Sequence, residues 1–219
     1  MRILVPACFL VGFALTASWE LNAAESSLRS PSELVDLQIG AIAPTIYGID
    51  DRGDCWASSD YIGKQYLVVF FYPADFTTGC VKQAETFRDK MNQLNEQGIK
   101  VVGISGDSIS THELFKKSWN LNYTLLADDA GHTAVKFGVP VKSGGTAMPV
   151  GPDRKRLLNE KGEPFRIERN VTFARWTFII GKDGKILYKN THVQPANDSL
   201  QVSEFIEKLA AKEFNPREK

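Results

Sequence analysis

The stretch from Leu67 to Gly98 restricts the possible folds more than any other part of the chain. Leu67 to Tyr72 is an apolar run, broken only by the Tyr72 phenol, that enters Pro73, a short polar turn and then a helical pattern. An apolar run bounded by turn signals reads as a strand buried on both faces, as in a parallel sheet. After the turn, Ala84, Phe87, Met91 and Leu94 recur at three- and four-residue steps and give one apolar helix face, with Gly98 as the stop. Thr77 or Thr78 is placed to cap its start. Cys80 therefore falls in the first turn of a helix that leaves the carboxyl end of a core strand, where open α/β folds place their sites. Helix N-termini and nearby cations lower a thiol's pKa from roughly 8.5, and the thiolate is the nucleophile. Thr77, three residues earlier, is expected to aim its hydroxyl at the sulfur. Pro73 fixes the backbone where the strand ends and offers no N–H.

Pro73-x-x-x-Thr77-x-x-Cys80 resembles the peroxiredoxin active-site motif. The flanking FFYP and Phe87-Arg88-Asp89 look like the bacterioferritin comigratory protein (peroxiredoxin Q) branch of the AhpC/TSA superfamily. The resemblance implies a thioredoxin fold over residues 39–214: an α/β domain with a central mixed sheet and helices on both faces. It maps the family's strand-borne arginine onto Arg175, in Arg175-x-Thr177-Phe178, with Gln83 one helical turn after Cys80 to orient it. It implies a thiol-dependent peroxidase for hydrogen peroxide and organic hydroperoxides. Cys80 becomes a sulfenic acid and is recycled by a thioredoxin-like or glutathione/glutaredoxin-type thiol, without a cofactor, in a monomer or weak dimer.

One departure matters. Many members of this branch carry a resolving cysteine five residues after the peroxidatic one, and here that residue is Glu85. Two routes stay open. Cys80 acts alone, or Cys55 resolves it within the chain or across a dimer. Single-cysteine action is the preferred expectation, since a bridge needs Cα atoms within about 7 Å and a cysteine such as Cys55, beside Trp56, is commonly a small buried residue.

The rest of the chain fits one domain with extensions. Arg2 followed by the apolar Ile3 to Ala17 and by Ala23-Ala24 reads as a secretory signal peptide over 1–24, with a linker over 25–38 and export to a periplasmic or extracellular compartment. Cleavage would remove Cys8 and leave Cys55 and Cys80. Thr45 to Ile49 and Cys55 to Ser58 are expected to pair around the Asp50–Asp54 turn. Ile99 to Ser105 is a second buried strand, and Ser110-x-x-Glu113 reads as a capping box opening a helix through Trp119. Tyr123 to Leu126 is a short strand and His132 to Phe137 a short helix. Trp176 to Ile180 turns at Asp183-Gly184 into Ile186 to Tyr188, and Asp198 or Ser199 caps a last helix. Residues 139–173, rich in Gly, Pro and mixed charge, form an insertion read as a solvated excursion, with room for a small hairpin, rather than a rim over the site.

Other chemistries lack support. Lys+Arg and Asp+Glu both number 26, a balance that argues against general nucleic-acid binding. His112, His132 and His192 show no metal-ligand spacing and read as surface or cap residues. A thiol–disulfide oxidoreductase would need a second cysteine where Gln83 stands. A peroxide sensor would need the same reactive thiol and differs only in lacking turnover.

Overall fold

The computed structural model describes residues 35–214. The strands are β1 (Tyr47–Asp50), β2 (Cys55–Ala57), β3 (Tyr66–Phe71), β4 (Ile99–Ser105), β5 (Thr124–Ala127), β6 (Val141–Ala147), β7 (Ile167–Phe173), β8 (Trp176–Ile180) and β9 (Ile186–Asn190). The α-helices are α1 (Thr78–Glu96), α2 (Ile109–Trp119), α3 (His132–Lys136) and α4 (Asp198–Phe214). Seven strands form one sheet in the order β2-β1-β5-β4-β3-β8-β9, and β6 and β7 form a separate hairpin. β3 runs parallel to β4 and antiparallel to β8. The sheet is therefore mixed, and β3 lies inside it.

That position explains the sequence of β3. Successive side chains of a strand point to opposite faces, and both faces here are covered. Val68, Phe70 and Tyr72 enter one core with Ala84, Phe87, Met91 and Leu94 of α1, Phe115 of α2 and Val202 and Ile206 of α4. Leu67, Val69 and Phe71 enter the other, with Ala134 of α3, Phe137 and Phe178. Helices cover both faces, three on one and the short α3 on the other. Phe87 stacks on Phe70 at 4.7 Å between centroids and is fully buried. Burial of such a side chain contributes about 1.5–3 kcal/mol. Gly103 is needed beside that stack, because a Cβ there would lie 2.7 Å from the Phe70 ring.

Two readings of the sequence change. The cap of α2 is Ser108, whose hydroxyl accepts the Thr111 N–H; Ser110 lies inside the helix. A Ser-rich run offers several candidate caps, and the extended backbone at Ser108 decides between them. The insertion is not merely solvated. Its hairpin buries Ile167 in the α1 core and Phe173 in the opposite one, with Leu157 and Phe165 packed against the first. A backbone oxygen of β7, that of Val171, lies 2.3 Å from where a Cβ on Gly106 would sit. The signal-peptide reading over 1–24 and most of the linker reading lie outside the described residues.

Candidate active site

β3 ends at Phe71, and the chain crosses a short loop before α1 begins at Thr78. Thr77 is the extended residue at the start of α1, with no side-chain cap bond. Its hydroxyl donates to the Ala74 carbonyl at 3.1 Å, not to the sulfur, because the loop folds back within reach. Pro73 is half-buried at the strand end. Cys80 lies in the first turn of α1, 2% exposed, and is a free thiol.

Arg175, between β7 and β8, reaches this sulfur. Its Nη2 donates to Cys80 Sγ at 3.2 Å. Gly79 leaves room for it, since a Cβ there would come within 3.3 Å of the same Nη2. Arg175 Nη1 donates to Gln83 Oε1, and Gln83 Nε2 donates to Asp198 Oδ2 at 2.6 Å. Thr177 on β8 donates to that same carboxylate oxygen at 2.8 Å. A guanidinium has no acceptor, so the Gln83 oxygen must face Arg175 and its NH2 must face Asp198. Gln83 and Asp198 are fully buried. Burial pushes the Asp198 carboxyl up to about 6, against the opposing hydrogen bonds of Thr177 and Gln83 and the Arg175 charge.

A second buried network anchors the loop before Cys80. Asp75 donates its backbone N–H to Asp107 Oδ2 at 2.8 Å. Its carboxylate accepts from Tyr72 at 2.8 Å and meets His112 Nδ1 at 2.8 Å. His112 Nε2 faces the Leu126 carbonyl at 3.1 Å. A carbonyl only accepts, so Nε2 carries a proton. Burial opposes protonation of His112, but the Asp75 charge and hydrogen bond outweigh it and raise the imidazole above its ordinary value. Arg169 of β7 closes the network with Nη2 2.7 Å from Asp107 Oδ1. Phe76, in the same loop, takes a positive φ of 61° while its ring packs on Phe115 at 5.0 Å. The network holds a backbone conformation that a phenylalanine rarely adopts unaided.

The predicted residues are thus distributed unequally. Cys80, Arg175 and Gln83 converge; Thr77 and Pro73 frame the loop. Cys55 is exposed at the start of β2 rather than buried. It lies on β2, four strand steps from β3, roughly 19 Å at about 4.8 Å per step, and it is not bridged to Cys80, which is a free thiol in this conformation. Glu85 pairs with Arg88 at 3.7 Å. His112 is fully buried, contrary to its reading as a surface or cap residue, because Asp75 and Leu126 together satisfy both ring nitrogens. Asp198, Asp75 and Asp107 were missed as site residues. Asp198 carried only a helix-cap signal, and nothing local marks the other two. Among the described residues no group of three His, Cys, Asp or Glu side chains converges to hold a metal ion.

A model of the AhpC/TSA family matches residues 39–189. The chain belongs to the AhpC/TSA family. Within it, this peroxiredoxin is 33% identical over 162 residues to the chloroplastic peroxiredoxin Q of Sedum lineare, covering 74% of this chain and 84% of that one. It is 38% identical over 153 residues to the putative peroxiredoxin bcp of Coxiella burnetii, covering 69% and 87%. Its fold is similar to the crystal structure of peroxidoxin BcpB from Mycobacterium tuberculosis, with a TM-score of 0.63 at 24% identity over 80% of this chain and 99% of that one. The peroxiredoxin is of the Q/bcp type, a thiol-dependent peroxidase with a thioredoxin fold. The relatives overturn the expectation of an exported, periplasmic or secreted protein, since the named plant relatives are chloroplastic. An apolar leader behind a single Arg2 is a weak guide to compartment, because other targeting segments also precede a fold.

Proposed function

We propose that Cys80 is the peroxidatic thiol and that it reduces hydrogen peroxide and organic hydroperoxides without a second cysteine of this chain. The observation that carries this reading is the 3.2 Å contact from Arg175 to a sulfur held in the first turn of α1. The Cys80 thiolate attacks the terminal oxygen of the hydroperoxide in line with the O–O bond. The S–O bond forms, the O–O bond breaks, and the leaving alkoxide or hydroxide takes a proton from water. The product is a sulfenic acid. Arg175 donates toward the developing negative charge, where preorganised donors act most strongly. The Thr77 proton is committed to Ala74, so its oxygen is left to accept from the incoming O–O–H. Pro73 shields the sulfur from water. An external thiol then displaces water from the sulfenic acid, forming a mixed disulfide, and a second thiol releases Cys80. That donor is a thioredoxin-like protein or a low-molecular-weight thiol, and the distance to Cys55 favours it over an internal resolving step.

Stopped-flow oxidation of the reduced protein by hydrogen peroxide, followed by intact mass, tests this. Fast oxidation with a one-oxygen gain, lost in Cys80→Ser and kept in Cys55→Ser, is expected. A loss of two hydrogens in the wild type, with a sulfenic acid accumulating only in Cys55→Ser, would make Cys55 the resolving residue. A rate no greater than that of a free thiol would remove the peroxidase reading.

A further inference from the structure

We propose that Asp198 is a positioning residue for peroxide reduction: through Gln83 it holds the Arg175 guanidinium on the Cys80 sulfur, and it relaxes that hold when its carboxylate takes up a proton. The proposal rests on Cys80 being the reacting thiol. It adds to that reading a residue 118 positions away in the chain, contributed by the first turn of α4.

The geometry is a directed chain of hydrogen bonds. Asp198 Oδ2 accepts from Gln83 Nε2, Gln83 Oε1 accepts from Arg175 Nη1, and Arg175 Nη2 donates to Cys80 Sγ. Every link has one permitted polarity, because the guanidinium donates only and the ionised carboxylate accepts only. Negative charge on Asp198 polarises the amide so that its oxygen accepts more strongly, and buried hydrogen bonds in series reinforce one another. The arrangement is rigid. Gln83 and Asp198 are fully buried, and Thr177, also fully buried, fixes the carboxylate from β8.

The carboxylate also has a reason to titrate. Its other oxygen, Oδ1, is buried without a hydrogen-bond partner. The groups facing it are Gln83 on α1, Arg175 and Thr177 at β8, and the Tyr188 phenol of β9, whose ionisation is disfavoured by burial first and then by the Asp198 charge. Arg175 is the cation that favours its ionised form, and burial outweighs it, which brings the change of state to about pH 6. A proton on Asp198 replaces a charge-assisted acceptor by a neutral one. The Gln83 amide is then held more weakly and Arg175 loses its orientation toward the sulfur.

The test is the second-order rate of Cys80 oxidation by hydrogen peroxide from pH 5 to 8, in the wild type, Asp198→Asn, Gln83→Leu, Arg175→Met and the double variant Asp198→Asn with Arg175→Met. Asparagine keeps the shape and the acceptor but not the charge. At pH 7.5 Asp198→Asn should react roughly five- to tenfold more slowly than wild type, the ratio expected when a charge-assisted hydrogen bond becomes neutral. The ratio should fall toward one at pH 5, where the wild-type carboxyl is itself protonated. Gln83→Leu cuts the same chain one link later and should remove the same pH-dependent step. In the Arg175→Met background the Asp198 substitution should have no further effect. Equal rates for Asp198→Asn and wild type at pH 7.5, or an Asp198 effect of the same size in the Arg175→Met background, would overturn the proposal. Either result leaves the peroxidase reading standing as long as Cys80→Ser abolishes oxidation; a wild type no faster than a free thiol would remove both.

Discussion

Replacing Asp198 by asparagine should make the protein more stable, and the gain should depend on pH. The carboxyl rises from 3.8 to about 6 on folding, chiefly through burial. At about 1.36 kcal/mol for each pH unit, that corresponds to about 3 kcal/mol. The folded state binds the proton more tightly than the unfolded state, so stability falls as pH rises from 3.8 to 6. Below that window both states are protonated and nothing is lost; above it the full penalty applies. Asparagine carries no such penalty. Its amide would occupy the place of Oδ1, which has no partner, at a cost of about 1 kcal/mol that does not vary with pH. Urea unfolding of the two proteins at pH 4, where part of the penalty is already present, and at pH 7.5 should therefore give a difference that moves by about 2–3 kcal/mol in favour of the variant, leaving it about 2 kcal/mol more stable at pH 7.5. The comparison cancels the titration of His112, common to both proteins. A difference constant with pH to within about 0.5 kcal/mol would refute the reasoning, because it would mean that Asp198 ionises in the folded protein as freely as in water.

Other outcomes follow from the same contacts. Arg175→Met should slow oxidation of Cys80 by about 10²–10³-fold with little loss of stability, as removal of a preorganised donor does; stopped-flow kinetics alongside a thermal melt would measure both. Arg169→Met leaves the fully buried Asp107 carboxylate without its cation. It should cost about 3–5 kcal/mol in urea unfolding, and a loss under about 1 kcal/mol would mean that the β7 hairpin is not fastened to the loop. Gly106→Ala forces a Cβ against the Val171 carbonyl, 2.3 Å away, and should destabilise by about 1–3 kcal/mol with the Cys80 rate reduced in parallel. His112→Asn removes a buried group whose raised pKa stabilises the fold fully below pH 6.5 and less as pH rises through its folded value, so the variant's deficit in chemical denaturation should shrink on going from pH 6 to pH 9.

The readable parts of the sequence were those with local periodicity. β3 and α1 were legible because an apolar run and a 3.6-residue stripe are each set by burial within one element, and Cys80 followed from their junction. Arg175 and Gln83 were legible through a resemblance, since nothing in their own neighbourhoods separates them from surface residues. Asp198 reads as a cap because Asp before a helical pattern is a strongly preferred capping residue. Its use as a buried acceptor depends on Gln83, far away in the chain, and on Thr177. His112 reads as a surface or cap residue for the same reason: its partner Asp75 lies 37 residues earlier, on a loop with no periodic signal. The insertion reads as solvated because its charge belongs to exposed positions such as Arg154 and Lys155, while only a few residues, Ile167 and Phe173 among them, are buried.

The β6–β7 hairpin also has an engineering consequence. Its strands pair from Val141–Phe173 to Ala147–Ile167, and Phe173 pins one end and Ile167 the other, on opposite faces of the sheet. Its far turn is different: residues 160–164 are exposed, and Gly162 sits at φ 77° between Asn159 and Glu163. Chain ends opened at such a tip leave the pinned strands intact. New termini placed between Lys161 and Gly162, or a peptide grafted there, should leave the peroxide-reacting face as it is, so this excursion offers a site for attaching a fluorophore or a second domain.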